Sequence, residues 1–186
     1  SPWGYEVIHR WNPLALDPNR SFVDDSPAEE SAALMVLVRG LGVQFLVHID
    51  LHETTDTDET EFRPALAARD GTPHEPGIIP DGFYTVGDTA NPQPAFQAAI
   101  IAAVERVTHI APADDRGEII GCPVTQPGVI NYPFAELGLC AGVTGARFTS
   151  TTEVYPDSPR ATAQICNAAQ VAAARAALDF ALEHST

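Results

Sequence analysis

The residue types that could bind a metal ion are concentrated in one short stretch, Ile49-Asp50-Leu51-His52-Glu53-Thr54-Thr55. This stretch follows an apolar run at residues 43–49 that has the composition of a buried strand. Open α/β sheets bind their ligands outside the carboxyl ends of strands. An imidazole there, with a carboxylate two residues earlier to orient it, is typical of a zinc ligand and its supporting group. His52 is therefore a candidate metal ligand; the alternative is a histidine in an ordinary polar loop.

A second set of polar residues alternates along a predicted strand at residues 146–154. Arg147, Thr149, Thr151 and Glu153 are each two residues apart, so all four side chains point to one face of the strand. Glu153 stands at the end of this strand, where a carboxylate could act as a general base. The alternative is an edge strand with one polar face.

Hydrogen-bond donors come from an irregular N-terminal segment. Asn19 and Arg20 are adjacent and together supply several donors suited to a carboxylate. Arg10 could polarise a carbonyl group or stabilise an oxyanion. Each of these residues could also be an ordinary surface residue.

The composition limits the possible partners. The chain carries 25 acidic residues against 10 basic ones, all arginine, for a net charge of −15. Such a field repels nucleic acid and anionic membranes, so neither is expected as a partner. No run of 18 or more apolar residues occurs, which favours a soluble protein. Three cysteines without paired spacing indicate free thiols in a reducing compartment, and we expect a cytoplasmic location.

The alternation of strands and helices predicts an α/β fold, with a sheet covered by helices, in a single domain over residues 1–186. Helices are predicted at residues 26–39, 96–108 and 159–184, the first with Ser26 as N-cap. Strands are predicted at residues 43–49, 118–122 and 146–154. Two connections, residues 53–91 and 123–142, are rich in polar residues, glycine and proline and are predicted as loops.

Taken in order, these pieces resemble the zinc-carboxypeptidase family and its relatives aspartoacylase and succinylglutamate desuccinylase. The resemblance rests on Pro2-Trp3-Gly4 through Arg10 to Asp17-Pro18-Asn19-Arg20-Ser21-Phe22, on Ile49 to Thr55, and on Thr151-Thr152-Glu153. It covers residues 1 to about 160 in order and spacing. Each motif alone is weak, whereas the ordered set is fairly specific.

The resemblance implies catalytic roles for three residues. His52 would bind Zn²⁺, with Asp50 orienting its ring. Glu153 would take a proton from water and pass it to the leaving amine. Arg10 would stabilise the tetrahedral oxyanion.

It also implies a substrate site. Asn19 and Arg20 would hold the terminal carboxylate of the substrate. Tyr132, in Asn131-Tyr132-Pro133, lies 21 residues before Glu153, near the position of the mobile substrate-capping tyrosine of carboxypeptidases.

One feature of the family is missing. Its first two zinc ligands belong to a His-x-x-Glu motif before the arginine segment, and no His-x-x-Glu occurs in these 186 residues. We therefore expect a mixed β-sheet flanked by helices, zinc-carboxypeptidase-like, whose N-terminal part is missing from this sequence. The chain by itself should then be inactive and should expose apolar surface where that part packs.

The expected function is that of a zinc-dependent metallopeptidase of carboxypeptidase type. Its substrate would be a peptide or N-acyl amino acid with a free carboxylate, cleaved at the neighbouring amide bond. Two alternatives remain open: a deacylase like aspartoacylase or succinylglutamate desuccinylase, and a non-catalytic homologue that binds carboxylates.

Overall fold

A mixed sheet of four strands carries the residues that the sequence singles out. The strands of the protein are β1 Val47–Glu53, β2 Tyr84–Asp88, β3 Glu118–Ile119, β4 Cys122–Pro123, β5 Val129–Tyr132 and β6 Phe148–Val154. The sheet has the order β1-β6-β2-β5, with β6 parallel to β1 and antiparallel to β2, and β2 parallel to β5. β3 and β4 pair separately as a small antiparallel sheet. This computed structural model describes residues 1–7 and 9–185.

Helices flank the sheet, as the sequence predicts. Over the described residues they are α1 Pro2–Val7, α2 Glu29–Leu41, α3 Arg63–Asp70, α4 Pro94–Val104 and α5 Ala163–Glu183. Shorter helical turns occur at Pro18–Arg20, Asp58–Phe62 and Cys140–Gly142. Within this part of the chain, the length and apolar character needed to cross a lipid bilayer are not combined in any helix.

The core between the sheet and helices α4 and α5 fixes the orientation of β6. Phe96, Phe148 and Phe180 come from α4, β6 and α5, and their ring centroids lie 5.3 to 5.6 Å apart. Fully buried alanines recur every fourth residue on α5, at Ala169, Ala173, Ala177 and Ala181. Such small side chains let the helix lie close to its neighbours. Because Phe148 points into this core, the alternate residues of β6 point to the opposite face of the sheet.

Several predicted boundaries shift in the structure. α2 begins at Glu29 rather than after Ser26: the Ser26 hydroxyl donates to the Ser21 carbonyl and accepts from the Ala28 amide, which places Ser26 in the turn that precedes the helix. α5 begins at Ala163, where the Thr162 hydroxyl accepts from the Ile165 amide. In both cases hydrogen bonds between a hydroxyl group and the nearby backbone decide where the helix begins.

The prediction of a loop over residues 53–91 is wrong. This segment contains the π-helical turn Asp58–Phe62, helix α3 and strand β2. The many acidic residues, prolines and glycines of the segment obscure β2, which has only five residues. β2 is stabilised by hydrogen bonds to the strands on both sides of it, although its short sequence gives little indication of a strand.

The strand before His52 is also placed differently. It covers Val47–Glu53 rather than residues 43–49, and it forms an edge of the sheet, paired only with β6 among the described strands. Leu51 on this edge is 55% exposed, and Val36 and Leu37 of α2 are exposed as well. The protein thus has exposed apolar residues on β1 and on α2; the absence of an N-terminal part of the domain stays a prediction.

A glutamine on α5 joins the two strands that carry the site. Gln170 donates through Nε2 to the His52 carbonyl at 2.7 Å and accepts from the Thr152 hydroxyl at 2.5 Å. Gln170→Leu removes both hydrogen bonds and leaves the Thr152 hydroxyl without its acceptor, so we expect the free energy of unfolding to fall by about 1–3 kcal/mol. Gln164→Leu, at an exposed position of the same helix, should change it by less than about 0.5 kcal/mol. Urea denaturation measures both; equal losses would contradict the bridging role of Gln170.

Candidate active site

The register of three strands brings the central residues together. His52 of β1 lies opposite Glu153 of β6, and Glu153 lies opposite Tyr84 of β2. Residues opposite each other on neighbouring strands point to the same face of a sheet. Asp50 and Thr151 form the adjacent pair on that face, two residues earlier along β1 and β6. The prediction that Thr151 and Glu153 of β6 share a face is therefore confirmed.

A cavity of about 150 Å³ opens above this face. All six residues that the sequence identifies as site candidates line it: Arg10, Asn19, Arg20, His52, Tyr132 and Glu153. They come from segments far apart in the sequence, and the fold brings every one of them to a single cleft. Their individual roles remain proposals.

The imidazole of His52 is held by a carboxylate. Its Nε2 lies 3.0 Å from Oδ2 of Asp50, which leaves Nδ1 as the ring nitrogen that could bind another group. Burial lowers the pKa of His52, but the hydrogen bond and charge of Asp50 and the charge of Glu153 outweigh burial and raise this pKa overall. The arrangement matches the orienting role expected for Asp50.

Glu153 is a partly buried carboxylate that lines the cleft. Burial raises its pKa to about 7, against the opposing effects of the His52 charge and of a hydrogen bond from Thr54. The Thr54 hydroxyl lies 3.0 Å from Oε2 of Glu153. A carboxyl group with a pKa near neutrality can both accept and return a proton, which is what a general base requires.

Arg10 is fixed by two carboxylates and an aromatic ring. Its Nε donates to Asp17 at 3.2 Å and its Nη1 donates to Asp58 at 2.8 Å. The guanidinium carbon stacks 4.1 Å from the centroid of the Phe62 ring. A guanidinium has five N–H donors, so donors remain for a carbonyl group in the cleft after both ion pairs are formed.

Asn19 and Arg20 lie on the helical turn Pro18–Arg20. Oδ1 of Asn19 accepts from the Cys140 amide at 3.2 Å, so the side-chain NH₂ group is left as the donating end. Nε of Arg20 lies 3.7 Å from Asp17, and the Arg20 side chain is 44% exposed. Amide and guanidinium donors are therefore presented side by side, in the manner that suits a carboxylate ligand.

Tyr132 lines the cleft but does not lie in a loop. It is the last residue of β5, so the prediction of a loop over residues 123–142 is wrong at this point. Burial raises the pKa of Tyr132, and the neighbouring Cys122 raises it further. A tyrosine at a strand end is held by its backbone pairing, which does not fit a mobile cap.

The described residues do not form a complete metal site. Among residues 1–7 and 9–185, no group of three or more histidine, cysteine, aspartate or glutamate side chains is arranged to hold one. Catalytic zinc sites usually have three protein ligands. His52 alone does not meet that requirement, because the nearby Asp50 is engaged with the ring of His52 itself.

Sequence reasoning missed several residues of the cleft, namely Thr54, Asp58, Phe62, Arg63 and Tyr84. All five lie in the segment that the sequence predicts as a loop. Alternating apolar and aromatic residues at Tyr84 and Val86 were the available signal for a strand there. Thr54 belongs to the stretch around His52, but the sequence does not indicate which side chains the Thr54 hydroxyl contacts.

Comparison with known proteins supports the fold. No protein-family model matches the chain, and no curated protein matches it. Solved structures do match it; among them are a crystal structure of a putative metallopeptidase from Shewanella amazonensis SB2B (TM-score 0.63, 21% identity) and one of a putative metallopeptidase from Shewanella denitrificans OS217 (TM-score 0.64, 18% identity). This likeness shows the fold. The matches cover 97% of this chain but only 60% and 58% of the two neighbours. Membership of the zinc-carboxypeptidase family stays a prediction.

Asp17 organises the arginine side of the cleft. Its Oδ1 accepts from the Asn19 amide at 2.9 Å and caps the turn, while Oδ2 contacts Arg10 and Arg20. We expect Asp17→Ala to lower the free energy of unfolding by about 1–2 kcal/mol, since the cap is lost. Asp17→Asn keeps a capping oxygen and should recover at least half of that loss. Thermal and urea denaturation test this; an asparagine variant as unstable as the alanine variant would contradict it.

Proposed function

We propose that this protein is a metal-dependent hydrolase of carboxypeptidase type, which cleaves an amide bond next to a free carboxylate. The observation that carries the proposal is the cleft itself, in which a partly buried carboxylate, an imidazole and two arginines converge. The fold shared with the two Shewanella proteins also supports this proposal.

The proposed chemistry assigns proton transfer to Glu153. Its carboxylate takes a proton from a water molecule as the oxygen of that water bonds to the amide carbon, and returns the proton to the nitrogen as the carbon–nitrogen bond breaks. Donors of Arg10 that are not engaged by Asp17 and Asp58 stabilise the negative charge that develops on the carbonyl oxygen.

Substrate binding is assigned to the other side of the cleft. The NH₂ group of Asn19 and the guanidinium of Arg20 bind the free carboxylate of the substrate through charge-assisted hydrogen bonds. These contacts orient the substrate, so that its scissile bond lies between Arg10 and Glu153. Tyr132 contributes to the wall of the same cleft.

Zinc is the metal that the sequence resemblance implies, and it would act as a Lewis acid on the carbonyl group. His52 would supply one ligand through Nδ1. The described residues do not fit a complete site, so the steps assigned above to this chain's own side chains do not depend on the metal geometry.

The size of the cleft bears on how large the substrate is. A cavity of about 150 Å³ suits a small ligand better than a long peptide. A deacylase acting on N-acyl amino acids is therefore a second candidate, with the same residues in the same roles. A third candidate is a non-catalytic module that binds carboxylates, which the single metal-ligating histidine favours.

Replacing the proposed base tests catalysis. With protein expressed from its complete gene, Glu153→Gln should lower kcat about 10²- to 10⁴-fold, since an amide cannot accept the proton. Glu183→Gln, at the exposed end of α5, is the matched control and should leave kcat unchanged. The substrates are N-blocked dipeptides and N-acetyl amino acids; preference for one set separates the peptidase from the deacylase. If neither set is cleaved and the protein holds no zinc by elemental analysis, hydrolase activity is contradicted.

Replacing the proposed carboxylate-binding arginine tests the substrate site. Arg20→Gln should weaken binding of N-acetyl amino acids about 10- to 100-fold, since a charge-assisted hydrogen bond is lost. Arg116→Gln removes an exposed arginine outside the cleft and should leave binding unchanged. Isothermal titration calorimetry measures both variants. Binding that depends on Arg20, in a protein that never turns over any substrate, would favour the non-catalytic module.

A further inference from the structure

A hydrogen-bonded chain runs from Tyr84 through Thr54 to Glu153 along the wall of the cleft. The hydroxyl groups of Tyr84 and Thr54 lie 2.9 Å apart, and the Thr54 hydroxyl lies 3.0 Å from Oε2 of Glu153. We propose that Thr54 and Tyr84 are positioning residues, which hold the Glu153 carboxylate in the orientation needed for proton transfer. This inference rests on the proposed function.

The direction of the chain follows from its chemistry. A threonine hydroxyl has a single hydrogen, and an ionised carboxylate can only accept. Thr54 therefore donates to Glu153, and the oxygen of Thr54 accepts from Tyr84, whose hydroxyl is the remaining donor. Each of the two hydroxyl groups is left with one orientation while Glu153 is ionised.

Backbone pairing fixes all three side chains. Thr54 directly follows β1, and its amide donates to the Val154 carbonyl at 2.9 Å. Tyr84 lies opposite Glu153 across the β2–β6 pair. Thr54 and Tyr84 are 7% and 1% exposed, so water does not compete freely for their hydroxyl groups. The chain thus connects the end of β1, β6 and β2 through buried hydrogen bonds.

The consequence for Glu153 concerns its two oxygens. Oε2 accepts from Thr54, whereas no donor among the described residues contacts Oε1, so Oε1 is the oxygen better placed to take a proton from water. Without Thr54, the carboxylate could rotate toward the positive charge of Arg10 or His52, which both act on it electrostatically. With the Glu153 carboxylate rotated, the substrate would still bind in the cleft, but the wrong oxygen of Glu153 would face the reacting water.

The test uses protein expressed from its complete gene, with the N-blocked dipeptide or N-acetyl amino acid that it cleaves fastest. Thr54→Val removes the hydroxyl at nearly constant volume and should lower kcat about 10- to 100-fold, with KM changed by less than about threefold. Thr54→Ser keeps a hydroxyl and should restore kcat to within about threefold of the wild type. Tyr84→Phe should cause a smaller loss, about 3- to 10-fold, because the hydrogen bond it removes is one step from Glu153.

The matched control is Thr85→Val. Thr85 is fully buried on the same strand as Tyr84, and its hydroxyl has no hydrogen-bond partner among the described residues. This variant should keep the wild-type kcat and KM. Comparing Thr85→Val with Thr54→Val distinguishes the effect of losing any buried hydroxyl of the sheet from the effect of losing the hydroxyl that contacts Glu153.

Crystal structures of the same variants give a readout that does not depend on activity. The Glu153 carboxylate should keep its wild-type orientation in Thr54→Ser and Thr85→Val and should rotate in Thr54→Val. Unchanged kcat and an unrotated carboxylate in Thr54→Val would overturn the positioning role, as would a serine variant as impaired as the valine variant. If Glu153→Gln has no effect on kcat, the proposed function fails instead; the carboxylate orientations still decide whether Thr54 holds Glu153.

Discussion

The candidate site depends on the register of β1, β6 and β2. That register places His52, Glu153 and Tyr84 in one row on one face of the sheet. A slip of one residue along any of these strands would turn its side chain to the opposite face, toward the aromatic core. The core that contains Phe148, together with the bridge from Gln170 to both strands, holds the register in place. The same contacts therefore stabilise the fold and fix the geometry of the site.

Positive and negative side chains are concentrated together in the cleft. The protein carries a net charge of −15, and three of its ten basic residues, Arg10, Arg20 and Arg63, line this one cavity together with four acidic residues, Asp50, Glu53, Asp58 and Glu153. Asp17 and Asp58 hold Arg10 in place while compensating part of its charge. Burying Glu153 among these groups costs stability, because a carboxylate loses its hydration there. Such a cost at a defined position is typical of functional sites.

The sequence was sufficient to predict where chemistry could occur. His52 and Glu153 were both predicted at or just after strand ends, and the alternation along β6 predicts which of its residues share a face, so their convergence follows from topology. Tyr84 was missed, because the alternation of Tyr84 and Val86 is a short pattern in a five-residue strand within a polar segment. Ser26 was predicted as an N-cap, but its hydroxyl bonds with the Ser21 carbonyl and the Ala28 amide and forms the turn before the helix. Contacts between distant segments, such as that of Thr54 with Tyr84, exist only once the fold has formed.

The most direct measurement is a crystal structure of the complete protein carrying Glu153→Gln, with an N-acetyl amino acid bound. The account predicts the ligand carboxylate on Asn19 and Arg20 and its amide carbonyl between Arg10 and residue 153, because these groups line one cavity. A ligand bound outside this cleft, or bound with its amide turned away from residue 153, would contradict the central claim that binding and chemistry share the site.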